Sequence, residues 1–296
     1  MTKKNGNGSG QEKTALSTRE LVPIGKKLSF AASEAYKLLR ANILFSASGE
    51  EKCQIIGITS SVRGEGKTTT SMNIAYTFAE AGKRVLLIDG DMRLPQVAKT
   101  LKLHAKPGLS NYLAGQTGGK IPVQPTTLNP NFFAIACGDI PPNPSELLGS
   151  PAMEKLLHFL SERFDCVIID LPPINIVSDA LVLSKLCDGY LVVVRQDYTS
   201  RRELNICTDQ LNYVNAKLFG FVMTHSTTGK KGSYKGRYFS SRYGGRYGYR
   251  YGGRYGYRHG YGYGYGYGRG YGYGAGYADA RPGAETDGRP DVEPKE

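Results

Sequence analysis

Little in this sequence could build a disulfide framework or a structural metal site. Its 296 residues include only five cysteines, Cys53, Cys137, Cys166, Cys187 and Cys207, scattered and with no CxxC pair. That pattern reads as free thiols in a reducing compartment rather than a cross-linked secreted scaffold. The four histidines stand at no metal-ligand spacing, which removes the common zinc motifs. No apolar run approaches the ~18–20 residues that a membrane-spanning helix needs. The opening MTKKNGNGSGQEKT has no apolar core, so a secretory signal is not expected. A cytoplasmic chain is the expectation.

What is present is unevenly spread. Residues 1–28 are polar, residues 29–226 have the apolar content of one folded domain, and residues 227–296 form a tail of different composition. Gly229–Tyr277 holds 15 of the 21 tyrosines, among glycine, arginine and lysine. Glycine raises chain entropy and no aliphatic core is available there, so the tail and the first 28 residues are expected to be disordered. The net charge of +12 divides the same way. Gly229–Tyr277 carries ten basic and no acidic residues, and Ala278–Glu296 carries three basic and six acidic, leaving about +5 for everything before them. The basic character belongs mainly to the tail, so a nucleic-acid-binding face on the domain is not expected.

The middle of the chain alternates strand and helix signals. Gln54–Thr59, Arg84–Ile88, Asn131–Ala136, Asp165–Ile169, Tyr190–Val194 and Lys217–Met223 are short, continuous apolar runs. Continuous rather than alternating runs are expected where helices cover both faces of a sheet. The fold class that follows is α/β, a doubly wound and mostly parallel sheet, with ligands beyond the carboxyl ends of its strands.

The chemistry-bearing residues fall at those ends. Directly after the first strand, Ser60–Thr69 reads SSVRGEGKTT, which matches the P-loop pattern G-x4-G-K-[ST] with Ser61 in place of the first glycine. Arg63, Gly64, Glu65, Gly66, Lys67, Thr68 and Thr69 are therefore the expected nucleotide-binding residues. Gly64 and Gly66 let backbone N–H groups turn toward phosphate oxygens at the start of a helix, Lys67 adds a charge on the β- and γ-phosphates, and Thr68 can bind Mg²⁺. ATP and Mg²⁺ are the expected cofactors. The second strand ends in LLIDGDMR and a later one in CVIIDLPP. Asp89 and Asp91, two apart in extended chain, are expected on the same side, with Asp170 delivered by its own strand. The pair suits two tasks, one carboxylate on the metal and the other accepting a hydroxyl proton.

These motifs together resemble the bacterial tyrosine kinases of capsule and exopolysaccharide systems. DGDMR looks like the family's Walker A′ motif, VIIDLPP like its Walker B, and Asp139–Leu148 (DIPPNPSELL) like a stretch typical of it. The resemblance covers roughly residues 28–226 and the tyrosine-rich tail. It implies a P-loop NTPase fold of the kind shared with MinD and ParA proteins. It also implies Asp89 as base, with Lys67 and Asp91 beside it, and Thr68, Asp89, Asp91 and Asp170 around the metal. Glu34, Lys37 and Arg40 on one helix face resemble the family's E-x2-R-x2-R oligomerisation motif, with Lys37 in the middle arginine's place. Thr224 stands where the family's last strand ends in an asparagine near the adenine.

The resemblance further implies a homo-oligomeric ring in which one subunit's tail enters the next subunit's site. The implied acceptors are Tyr243, Tyr247, Tyr249, Tyr251, Tyr255, Tyr257, Tyr261, Tyr263, Tyr265, Tyr267, Tyr271 and Tyr273. Its implied partners are a membrane activator of the polysaccharide co-polymerase type, holding the kinase peripherally at the inner face of the membrane, and a protein-tyrosine phosphatase. Other readings stay open at this point. The tail composition also suits RNA binding or condensation through cation–π contacts, or an inert extension. The domain could be a spatial-organising ATPase of the MinD/ParA type, although the extra P-loop lysine of those proteins falls on Val62 here. It could also be an ATP-binding switch without catalysis.

Overall fold

The computed structural model describes residues 23–46 and 53–226. The chain divides into two units, Met1–Tyr234 and Lys235–Glu296, and every described residue lies in the first. The twelve expected acceptor tyrosines, with the whole of the expected 227–296 tail, lie outside the described residues.

Helix α1 (Phe30–Ser46) is followed by β1 (Gln54–Ser60), α2 (Lys67–Glu80) and β2 (Val85–Asp89). Short helices α3 (Val97–Leu101) and α4 (Leu109–Leu113) lead to β3 (Gln124–Pro125) and β4 (Phe132–Ile135). Then come α5 (Pro144–Leu148), α6 (Pro151–Ser161), β5 (Cys166–Asp170), α7 (Asp179–Val182), β6 (Gly189–Arg195), α8 (Arg201–Tyr213) and β7 (Leu218–Thr224). Six strands stand where the apolar runs place them. The seventh, β3, is two residues long and pairs antiparallel with β4, too short to leave a periodic signal. Sheet order is β3-β4-β2-β5-β1-β6-β7, and all pairings except β3–β4 are parallel.

Both faces of the sheet are buried along its central strands, which explains their unbroken apolar runs; the edge strand β7 is only partly covered. Leu86 and Ile88 of β2 belong to one buried cluster with α6 (Met153, Leu156, Leu157, Leu160) and with Cys207 and Leu211 of α8. Val85 and Leu87 point the other way, into Ile43 of α1, Met72, Ile74 and Phe78 of α2, and Leu101 of α3. Ile24 and Gly25, inside the N-terminal segment set apart by composition, also belong to this second layer. Ile24 is buried there and the Gly25 N–H donates to Asn73 Oδ1 at 3.0 Å.

Strand register decides where the acids meet. Asp89 of β2 lies opposite Asp170 of β5, and Asp170 lies opposite Ile58 of β1. The P-loop after β1 and the two strand-end carboxyls thus share one edge. One expectation is corrected here: β2 stops at Asp89, so Asp91 does not continue it in extended chain. Gly90 N–H is drawn to Asp170 O at 2.9 Å, and Met92 N–H closes onto Gly90 O at 3.0 Å. That tight turn carries Asp91 off the sheet and aims it separately from Asp89.

Gly57 at the centre of β1 leaves room for the Tyr190 ring; a Cβ there would sit 2.5 Å from that ring. The ring itself is fixed, because Tyr190 Oη donates to Ala180 O at 2.7 Å. Gly57→Ala should therefore lower stability by about 2–4 kcal/mol through overpacking. Urea unfolding of the full chain measures this, and an unchanged midpoint would show that the ring can move aside.

Candidate active site

The loop between β1 and α2 has the backbone its sequence demands. Gly64 and Gly66 hold positive φ, +81° and +95°, values that side-chain-bearing residues rarely adopt. Gly66 forms the N-cap of α2 in the left-handed region. The loop and the first turn of a 14-residue helix therefore present consecutive N–H groups to one place, the arrangement that binds phosphate. A cleft of about 380 Å³ opens there, lined by Arg63, Gly64, Gly66, Lys67, Thr68 and Thr69 from the loop side. Its opposite wall is Asp91, Arg93, Leu94, Gln96, Pro172, Pro173, Ile176 and Val177.

Lys67 is the centre of the charge arrangement. Its Nζ lies 2.6 Å from Asp91 Oδ2, with only 13% and 6% of the two side chains exposed. Burial works against its charge, but the carboxyls of Asp170 and Asp91 outweigh that and hold its pKa above the usual lysine value. Asp89 and Asp170 lie beneath the cleft, essentially unexposed. Asp89 Oδ2 accepts the Val97 N–H at 3.0 Å, and Oδ1 has no partner. Burial first, and Asp170's charge second, push the Asp89 carboxyl up to about 7. Asp170 is also raised by burial, with Lys67 and the hydroxyls of Thr68 and Ser71 opposing the shift. Ser71 Oγ donates to Asp170 Oδ1 at 3.0 Å, while Oδ2 is unpartnered.

These orphaned oxygens bear on Mg²⁺. Among the described residues no group of three His, Cys, Asp or Glu side chains forms a ready metal cage. Mg²⁺ does not need one, because it keeps several waters and relies on one or two carboxylates with substrate phosphates. A hard-oxygen set made of Thr68 Oγ1 and the free Asp170 Oδ2 fits that habit. Asp91 is engaged with Lys67 and is less available to a cation.

One further site residue, Asp179, lies in no motif of the sequence. Arg93 forms a two-point pair with Asp179, Nε to Oδ2 at 2.9 Å and Nη2 to Oδ1 at 3.0 Å. Ser145 Oγ donates to the same Asp179 Oδ1 at 2.5 Å. The DGDMR run and the PPNPSELL stretch are thereby clamped together through a buried carboxyl, a link that only long-range contact reveals. Leu94 and Ile176 are 50% and 47% exposed, so part of the far wall of the cleft is apolar and open, beside Asp91, Arg93 and Gln96.

The Glu34, Lys37 and Arg40 triplet is divided rather than held as one face. Glu34 and Lys37 pair with each other at 2.9 Å on the surface. Arg40 instead donates to Thr77 O at 2.5 Å and braces α1 on α2. Thr224 donates to Glu65 O at 2.6 Å, so its hydroxyl serves the loop.

Comparison with known proteins gives the family and the fold. Residues 53–218 match the AAA domain family. The chain is 36% identical over 202 residues to the tyrosine-protein kinase YwqD of Bacillus subtilis, covering 68% of this chain and 84% of that protein. It belongs to the bacterial tyrosine kinase family. The kinase domain of Escherichia coli tyrosine kinase ETK superposes with a TM-score of 0.62 at 31% identity, over 69% of this chain and 80% of that one. The septum site-determining protein MinD of Pyrococcus horikoshii gives 0.50 at 21% identity, over 58% and 70%, a likeness of fold alone. A P-loop fold of the MinD kind thus carries, in this bacterial tyrosine kinase, carboxyls set by β2 and β5.

The Asp89 shift predicts a pH-dependent stability. A carboxyl whose folded pKa exceeds its unfolded value near 4 binds more protons folded than unfolded, so it costs stability as pH rises from about 4 to about 7. Asp89→Asn should remove that cost. Without nucleotide or metal, its advantage over wild type should grow across that window and level off above it, at about 1–3 kcal/mol. Thermal melting from pH 4 to 8.5 measures this; an advantage independent of pH would mean that Asp89 titrates normally.

Proposed function

We propose that this chain uses Mg²⁺·ATP to phosphorylate tyrosines in its own 227–296 tail, in trans within an oligomer, and that it thereby regulates polysaccharide synthesis and export. The observation that carries the reading is the convergence of Lys67 and Asp91 with the strand-end carboxyls Asp89 and Asp170 around a phosphate loop, in a member of this kinase family. The tail supplies 15 tyrosines between Gly229 and Tyr277.

In this reading the loop N–H groups and Lys67 hold the phosphates, with Lys67 released from Asp91 as phosphate charge replaces it. Thr68 and Asp170 would hold Mg²⁺, which would supply neutralisation of phosphate charge. The acceptor enters along the open wall made by Leu94 and Ile176, whose apolar surface suits an aromatic ring. The phenolic oxygen bonds to the γ-phosphorus as the bond to the β,γ-bridging oxygen breaks and ADP leaves. The phenolic proton passes to Asp89, whose carboxyl near 7 is matched to the task. A spatial-organising ATPase is less well supported, since Val62 stands where its second lysine would be.

Assembly and localisation belong to the same proposal. No described helix is long and apolar enough to cross a membrane; we place the kinase at the membrane through an activator's cytoplasmic segment. Along α1, Phe30, Leu38 and Phe45 are 83%, 55% and 86% exposed, beside the Glu34–Lys37 pair. Exposed apolar groups on a helix at this spacing suit subunit contact. A phosphatase would reverse the modification: six phosphates bring about −9 to −12 charges to a segment with ten basic residues.

Lys67→Met should abolish phosphotyrosine while the domain stays folded, read by anti-phosphotyrosine blot and circular dichroism. Wild-type signal in the folded variant would exclude the kinase reading. For assembly, Glu34→Ala with Leu38→Ala should convert unphosphorylated oligomer to monomer in light scattering, leaving α1 braced through Arg40. An unchanged oligomer would take the contact away from this helix.

A further inference from the structure

An acidic residue inside a phosphate loop calls for a physical account, because a carboxyl turned toward the phosphates would oppose binding. Glu65 is such a residue, and its side chain is fully buried, turned away from the cleft. Both carboxyl oxygens are used. Oε2 accepts the Val62 N–H at 2.8 Å, and Oε1 accepts the Thr199 hydroxyl. The Thr199 oxygen in turn accepts the Arg195 N–H at 3.0 Å. Two further bonds reach the same loop from the same side: Arg195 Nη1 donates to Gly64 O at 3.2 Å, and Thr224 Oγ1 donates to Glu65 O at 2.6 Å. Thr224 also packs near Gly66, where a Cβ would meet its methyl at 3.4 Å.

We infer that Glu65 is a positioning residue which, with Thr199, Arg195 and Thr224, sets the aim of the phosphate loop's amides. Residues 61–66 have no helix or strand ladder of their own. A loop that must point N–H groups inward needs its carbonyls held outward, and here the carbonyls of Gly64 and Glu65 are each held by a donor from the ends of β6 and β7. The Glu65 carboxyl adds a third anchor and removes the Val62 amide from the set facing the cleft. The anchor residues Arg195 and Thr199 flank the turn between β6 and α8. Arg195 lies over the Tyr198 ring at 4.9 Å, and that ring is 53% exposed. The loop's geometry is therefore tied to a surface turn more than 130 residues away in sequence.

The inference rests on residues 60–69 being the nucleotide loop, and the test separates the two. Mg²⁺·ADP affinity of the full-length chain is measured by titration calorimetry at 10 °C, with circular dichroism showing that each variant is folded. Glu65→Ala should weaken binding about 10- to 30-fold, since a misaimed loop loses several charge-assisted hydrogen bonds. Glu65→Gln, which retains a side-chain oxygen for one of the two bonds, should recover part of the loss. Thr199→Val should weaken binding about three- to fivefold, and adding it to Glu65→Ala should cost little more, because both act through one contact. A residue that only stabilises the fold would lower the melting temperature and leave the affinity of folded protein unchanged; that result in Glu65→Ala overturns the inference. Should Glu65→Ala fail to fold, unchanged affinity in both Thr199→Val and Glu65→Gln overturns it equally. Failure of the wild-type chain to bind Mg²⁺·ADP would instead remove the nucleotide reading, and this inference with it.

Discussion

The burial of two carboxyls side by side, Asp89 and Asp170, is the constraint on which the rest of this structure depends. Parallel register places them opposite each other at the carboxyl edge of β2 and β5, where neither is exposed. Like charges in a buried site cannot both ionise without compensation. Lys67 supplies part of it, the Val97 N–H and the Ser71 hydroxyl supply more, and the remainder appears as raised carboxyl pKa values. One oxygen on each carboxyl is left without a partner. In the function proposed above, those two open oxygens are where a cation and a proton would be received.

The surrounding structure holds this cluster in place from three directions. The sheet is packed on both faces, so its strand ends cannot drift. The Arg93–Asp179–Ser145 clamp fixes the turn that carries Asp91. On the far side, Arg195, Thr199 and Thr224 fix the loop that carries Lys67. Lys67 thus stands between two separately braced segments, with Asp91 as its partner in this state. In the proposed function, phosphate would take the place of that carboxyl on Lys67.

Much of this was legible along the chain, and the failures have physical causes. The six parallel strands were visible because each is a continuous apolar run, five of them buried on both faces and β7 partly covered at the edge of the sheet. β3 was not, because two residues show no period. The P-loop was legible since its spacing, glycines and lysine are local requirements of binding phosphate. The aim of Asp91 was not, because it depends on Gly90 being drawn to Asp170 O across the sheet. Arg40 read as part of a surface face, yet its guanidinium is drawn inward by a carbonyl at the end of α2.

The sequence by itself determined the fold class, the identity of the phosphate loop and the acids available to it, because these follow from short-range pattern and strand-end placement. It also determined that the tyrosines concentrate in a basic segment set apart in composition from the domain. Tertiary structure alone decided which carboxyl is buried without a full set of partners, which one faces the lysine, and what the acid within the loop is for. Those outcomes depend on register between strands and on contacts across 80 to more than 130 residues. Burial and pairing are properties of the packed site, and no stretch of chain carries them alone.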